Sequence, residues 1–407
     1  MRVTLLHYAA PPVIGGVEAV MARQANYFLK AGHQVVILAG RGEAWDRRIP
    51  VHIIPLADSR HPQILAIKQI LDQGIIPENL DVLVTEIEKA LEPHLRETDV
   101  LIAHNVATQH KNLPLTIALQ RLIQRGIPQR AILWHHDLAW TAARYQGELH
   151  PGWPWDLLRQ AWPGTIQVVV SEARRLEWSQ LSGLPLEAIY VIPAGIEQAE
   201  FLGLSNESKT IFDRFGLASA MPILLCPVRI TRRKNLEQAL HIMSALHEQL
   251  PASRLIITGP PGAHNPENLA YYQSLLALRT TLGLETAVHF LAEDYPDGVS
   301  DIVIADLYRL ADALLLTSRE EGFGIPLLEA GLSRLPIFCT EIPPLRAIAQ
   351  DDAFYFQPET LPEVIAHAIQ ERLERDPLYR VRCRVRLNFS WEVVYQRQIA
   401  PLLEGLC

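Results

Sequence analysis

Four short stretches of this chain carry residues able to do chemistry. The stretch "SREEGFGIPLLEAG", residues 318–331, sets Glu321 and Glu329 eight positions apart around Gly322, Phe323, Gly324 and Pro326. Carboxylates accept paired hydrogen bonds from vicinal hydroxyls such as those of a ribose or a hexose. The glycines free the amides near Phe323 and Gly324 to approach such a ligand, and Pro326 suits the first turn of a helix. In "CPVRITRRKNLEQAL", Arg229 precedes Lys234 by five positions. A strand-end arginine and a helix-start lysine are two cations placed to grip a diphosphate, while Arg232 and Arg233 read as solvated.

The other two stretches lie in the first half. "AAPPVIGGVEAV" places Gly15 and Gly16 where a helix begins, a position that favours an anion or the close approach of a ligand and equally forms a tight strand-to-helix turn. "LWHHDLAW" ends a strand with His135, His136 and Asp137. Neighbouring side chains on a strand point to opposite faces, so at most one of the two histidines faces a site, and the pair cannot chelate one zinc ion. Asp137 can hydrogen-bond an imidazole or cap the next helix. Taken singly, each of these residues is also explained as a buried histidine, a turn or a helix-end charge.

The elements that would position them alternate strand and helix. "RVTLLHY", a Gly-Gly loop, "VEAVMARQANYFLKAGH" and "QVVILAG" form a strand, helix, strand unit, continued through "DVLIAH", "RAILWHH" and "IQVVVS". The pattern restarts after about residue 200 with "PILLCPV", "RLIITG", "AVHFLA", "ADALLLT" and "LPIFCT". "VIPAGIEQAEFLGLSNESKT" reads as the crossing between two α/β domains, each a doubly wound, Rossmann-like parallel sheet, with ligands expected outside the carboxyl ends of the strands in a cleft that the two share.

A length of 407 residues fits two domains, and 49% hydrophobic with 20% charged residues is ordinary for a soluble α/β protein. The formal charge of −8 disfavours a nucleic-acid binder working by bulk electrostatics. Cys226, Cys339, Cys383 and Cys407 are scattered, which suggests neither a zinc site nor a disulfide framework and fits a cytoplasmic setting. No apolar run is long enough to span a bilayer, and the N-terminus lacks a secretory pattern. A dinucleotide-binding oxidoreductase is disfavoured because no G-x-G-x-x-G occurs. The six arginines between Arg372 and Arg386 read as a solvated helix face, with an anionic lipid surface as the alternative.

In this order, the four loops resemble the retaining glycosyltransferases of the GT-B fold, family 4, the glycosyl transferases group 1. Glu321 and Glu329 match that family's E-x7-E motif, and Arg229 and Lys234 its Arg-x4-Lys pair. "VIPAGIE" resembles its domain crossing, with Ala194 and Glu197 in place of the usual Asn and Asp, and Asn235 stands where a glycine is frequent. The resemblance covers nearly the whole chain. It implies an N-terminal acceptor domain (residues 1–197), a donor domain (198–385) and a C-terminal helix (386–407) returning to the first domain. It implies further that Glu329 holds the ribose of a nucleoside-diphosphate hexose, and that Glu321 with Gly322, Phe323 and Gly324 holds the hexose. Arg229 and Lys234 would take the diphosphate, His136 the reacting centre, Gly16 the phosphates or acceptor, and no metal or other cofactor would take part. The region around "TGPPGAHNPENLAYYQSLLALRTTLGL" resembles members acting on small soluble acceptors. Action on a lipid-linked or cell-envelope acceptor at a membrane surface, and non-catalytic binding of a nucleotide sugar, are the alternatives.

Overall fold

The computed structural model describes residues 1–262 and 265–405, so Cys407 and the Ala263–His264 step of the Pro/Gly loop lie outside the described residues. It divides into two compact units. Met1–Gly195 with Trp391–Cys407 form the first, and Ile196–Ser390 the second.

In the first unit the apolar runs become β1 (Arg2–His7), β2 (Gln34–Ala39), β3 (Val51–Ile53), β4 (Val100–His104), β5 (Arg130–His135), β6 (Thr165–Val169) and β7 (Ile189–Val191). They form one sheet in the order β3-β2-β1-β4-β5-β6-β7. Every pairing is parallel, with Leu5 opposite both Ile37 and Ile102. Burial on both faces explains why these strands read as unbroken apolar runs rather than alternating ones. The helix Gly16–Lys30 turns Met21, Gln24, Ala25 and Phe28 inward, the three- and four-residue spacing of one helical face. The final segment belongs to this unit. Trp391 and Tyr395 pack their rings against Tyr27 at 6.4 and 5.4 Å, and Arg130 donates to the carbonyls of Leu402 and Leu403, each at 2.7 Å.

The second unit repeats the plan with β8 (Ile223–Cys226), β9 (Arg254–Ile257), β10 (Val288–Phe290), β11 (Ala313–Leu316), β12 (Ile337–Thr340) and β13 (Phe354–Phe356). The order is β10-β9-β8-β11-β12-β13, again with all pairings parallel. Helix Leu236–Gln249 covers the sheet with Leu236, Ala239, Leu240, Met243 and Leu246. Two doubly wound parallel sheets are therefore the architecture expected from the strand and helix alternation.

The arginine run is not a uniform solvated or lipid-facing surface, and that expectation is corrected. Asp312, whose side chain is fully buried, takes Arg386 at 2.6 Å and Arg382 at 3.1 Å. Arg386 also donates to the carbonyls of Ala220 and Leu310, and Arg382 to those of Arg309 and Ala311. A guanidinium fork satisfies several buried acceptors at once, so these two side chains staple helix Pro377–Asn388 to its own sheet. This is why the second unit runs on to Ser390. Among the described residues, no helix is long and apolar enough to cross a membrane.

Candidate active site

Each sheet reverses its winding direction once. In the second unit the reversal lies between β8 and β11, because β9 follows β8 on one side and β12 follows β11 on the other. A crevice opens at such a switch point, outside the carboxyl ends of the strands. The two loops that flank it here are those following β8 and β11, and they hold Arg229, Lys234, Glu321 and the glycine turn. Lys234 and Glu321, 87 positions apart, meet at 2.5 Å with side chains only 9% and 8% exposed. The Ser318 hydroxyl donates to the same carboxylate oxygen at 2.7 Å. The Lys234 carbonyl accepts from Thr317 Oγ1 at 2.9 Å, and the Arg233 carbonyl accepts from the Arg319 amide at 2.8 Å, which stitches the two loops together. The charged pair is thus held between rigid strand ends, in surroundings where a lost partner is costly.

Asn235, in place of the frequent glycine, adopts φ 49° and begins helix Leu236–Gln249. Asparagine is one of the few residues that enter the left-handed region readily, so the turn keeps its shape. Its side chain donates to Gln238 Oε1 at 2.9 Å. Arg229 is exposed, and its side chain has no hydrogen bond or ion pair among the described residues. No contact ties it to Lys234. Arg232 and Arg233 are exposed as expected, although Arg233 reaches the Glu320 carbonyl at 3.2 Å.

The glycine turn after β11 leads into helix Ile325–Leu332. Gly324 has φ +113°, and a Cβ there would lie 2.7 Å from a methyl of Leu345, so no other residue fits without rearrangement. Phe323 is 57% exposed at the tip of the turn. Glu329, on the second turn of the helix, accepts a hydrogen bond from the hydroxyl of buried Tyr308 at 2.7 Å, and that hydroxyl also lies 3.2 Å from the Pro326 carbonyl. Burial and the Glu329 carboxylate push the Tyr308 hydroxyl far above its ordinary value, so it remains a donor that fixes Glu329.

In the first unit the switch point lies between β1 and β4. The loop after β1 ends at Gly15, which is extended and precedes helix Gly16–Lys30. A Cβ on Gly15 would fall 2.1 Å from a Glu18 carboxylate oxygen, whereas one on Gly16 would meet nothing within 4 Å. The anion that this helix start invites is therefore supplied in part by the protein's own Glu18. Glu18 also stands 4.0 Å from His7 Nε2.

The strand-end histidines separate as alternation requires. His135 is fully buried, pairs with Gln167 at 2.8 Å and packs its ring at a tilt against Trp178, and burial pulls its pKa down to about 4. His136 is the partly exposed one. Its Nε2 lies 3.1 Å from Nδ1 of His104, the last residue of β4. His7, which closes β1, places its Nδ1 2.9 Å from the His104 carbonyl. Burial first, then the neighbouring His7 and His135, lowers the His136 pKa to about 3, so the ring is neutral throughout the physiological range. Asp137 is held by Asn105, whose Oδ1 accepts from the amides of both His136 and Asp137.

Glu18, His7, His104, Asn105, Ser318 and Tyr308 were not singled out in the sequence. A polar residue closing an otherwise apolar strand is the signal that His7, His104 and Asn105 carried. Tyr308 lies within a helix and carried none. One further cluster gathers Asp72, His110 and Glu148, with ligand atoms within 4.8 Å of one another. Lys68 Nζ already sits there, 2.6 Å from Asp72 and 2.7 Å from Glu148, and supplies the positive charge that those carboxylates require.

Residues 207–385, which include the β8 and β11 loops, match the family Glycosyl transferases group 1. That stretch of the second unit is therefore similar to the family. The serotype-specific mannosyltransferase WbdA of Escherichia coli is 40% identical over 109 residues, 26% of this chain and 13% of the relative. This chain thus spans only a small part of that relative's length. The mannosylglucosylglycerate synthase of Thermotoga maritima is 22% identical over 367 residues, 84% of this chain and 81% of the relative. Among solved structures, the sucrose-phosphate synthase of Thermosynechococcus elongatus covers 100% of this chain and 98% of its own at 17% identity, with a TM-score of 0.40.

Proposed function

We propose that this chain is a retaining, metal-independent hexosyltransferase that moves a hexose from a nucleoside-diphosphate sugar to a hydroxyl acceptor. The observation that carries the reading is the meeting of Lys234 and Glu321 at the β8/β11 switch point, 3.8 Å from a second cation on Arg233 and below the Gly322–Phe323–Gly324 turn. In this reading the diphosphate takes over the Lys234 ammonium, and exposed Arg229 folds onto it. Charge developing on the leaving diphosphate is stabilised by cations already in place, which lowers the barrier more than it tightens the ground state. Glu321, released from Lys234, and the amides of the turn receive the hexose hydroxyls. Glu329, aimed by Tyr308, receives the ribose. Gly16, with open space beside it, and neutral His136 serve the acceptor side in the first unit.

Small soluble acceptors are favoured because a relative that aligns with 84% of this chain is named a mannosylglucosylglycerate synthase. A lipid-linked acceptor at a membrane surface is the second reading. It keeps only the exposed arginines of the 372–386 run, since Arg382 and Arg386 are committed to Asp312.

The test is a thermal-shift screen of the protein against UDP, GDP and ADP and their hexose forms, with chelator present. A ligand at 100 times its Kd stabilises the native state by about 2.7 kcal/mol. One nucleotide should raise the midpoint in wild type and fail to do so in Glu329→Ala. A flat response to every nucleotide, or an unchanged response in Glu329→Ala, would refute the donor assignment.

A further inference from the structure

The catalytic reading uses His136 but leaves open what holds it, and its neighbour Asp137, and on which nitrogen His136 carries its proton. Asn105 follows directly on the end of β4 and sits at φ 60°, with only 4% of its surface exposed. Its amide donates to the Trp134 carbonyl at 2.9 Å, while its Oδ1 accepts from the amides of His136 at 2.7 Å and Asp137 at 3.1 Å. Its Nδ2 lies 3.5 Å from an Asp137 carboxylate oxygen. One side chain therefore fixes the backbone at the point where two candidate site residues leave the sheet.

The proton positions follow from counting donors and acceptors. His7 Nδ1 faces a carbonyl, which only accepts, so His7 carries its proton on Nδ1. His104 Nδ1 and His136 Nε2, 3.1 Å apart, share a single proton because both rings are held neutral by burial. His104 Nε2 is buried without a partner. An orphaned buried N–H is rarer than an orphaned acceptor, so His104 leaves Nε2 bare and carries its proton on Nδ1. His136 Nε2 then accepts, and its own proton sits on Nδ1, the ring nitrogen that has no protein partner among the described residues.

We propose that His104 and Asn105 are positioning residues that present His136 to the substrate as a neutral Nδ1–H hydrogen-bond donor, and not as a base. The proposal rests on the transferase reading only for the identity of the ligand. A sugar hydroxyl or phosphoryl oxygen is what such a donor recognises.

The experiment is long-range proton–nitrogen NMR of the protein labelled with nitrogen-15 at histidine, with His136 assigned by its loss in His136→Gln. Wild type should show a pyrrole-type Nδ1 and a pyridine-type Nε2 for His136. His104→Leu should erase that preference. Under the transferase reading it should also lower kcat by about 100-fold with little change in donor KM, because a misplaced contact costs mainly in the transition state. His104→Asn, which restores a donor near the former Nδ1, should recover most of the rate. Asn105→Gly, which tolerates the positive φ but lacks Oδ1, should lose activity. A wild-type His136 protonated on Nε2, or a His104→Leu protein with unaltered tautomer and kcat, would overturn the proposal. If wild type transfers no sugar from any donor, the transferase reading fails while the spectrum still decides the tautomer.

Discussion

Breaking the Lys234–Glu321 pair should cost much of the second unit's stability, and replacing both partners should restore most of it. Each side chain is more than nine-tenths buried, and Glu321 receives Lys234 at 2.5 Å and Ser318 at 2.7 Å. Lys234→Met leaves a buried carboxylate with one hydroxyl donor and half-exposed Arg233 at 3.8 Å as its remaining cation. Removing one partner of a buried pair costs about 3–5 kcal/mol, and the remaining Ser318 bond places this case near 3. At roughly 2–4 °C per kcal/mol for a unit of this size, the midpoint should drop by roughly 6–12 °C. Glu321→Gln should cost a comparable amount, because Lys234 then stays buried and charged beside a neutral amide. The double variant removes both charges while the introduced amide still meets Ser318, so it should lie within about 1 kcal/mol of wild type. The assay is a four-protein cycle of urea and thermal unfolding without ligand. Simple additivity of the two single losses would refute the argument, since it would mean that the pair is solvent-screened and does not restrain the loops after β8 and β11.

Two further outcomes are expected. Arg386→Met should destabilise the second unit by about 3–5 kcal/mol, because Asp312 loses its most buried cation and keeps only Arg382 and the Ile223 amide, whereas exposed Arg384→Ala should change unfolding by less than about 0.5 kcal/mol; equal effects in denaturant titrations would contradict the inward role of Arg386. The first unit should lose stability in mild acid. His135 has a folded pKa of about 4 against 6.5 unfolded, so between those values the unfolded chain binds more protons, and the contribution, complete above 6.5, is lost as pH falls toward 4, up to about 3 kcal/mol. His135→Gln should flatten that acid limb in urea midpoints measured across this range, and an unchanged slope would show that His135 is not neutral in the fold.

The sequence by itself determined the two doubly wound sheets. Parallel strands buried on both faces must be short apolar runs, and each crossover needs a helix with one apolar face, so "QVVILAG" and "KNLEQALHIMSALHEQL" could form little else. It also singled out the candidate loops, because glycines, a proline and paired charges at strand ends have few purely structural uses in combination. That Asn235 keeps the left-handed backbone for which a glycine would ordinarily stand was shown by the fold and not by the sequence.

Only the tertiary structure decided which of these groups meet. The contact between Lys234 and Glu321 spans 87 positions and exists because β8 and β11 are neighbours across a switch point, a fact of strand order that no local pattern encodes. The partition of the arginine run depended in the same way on Asp312, about seventy positions earlier in the chain, which turned Arg382 and Arg386 inward. Tyr308 became the partner of Glu329 through helix packing over 21 positions. His104 and Asn105 acquired their hold on His136 and Asp137 only when β4 and β5 paired, with His104 opposite Trp134. Local periodicity fixes which faces are buried. The partners of charged and polar groups are set by long-range pairing, where one strand placed elsewhere would exchange every contact in the site.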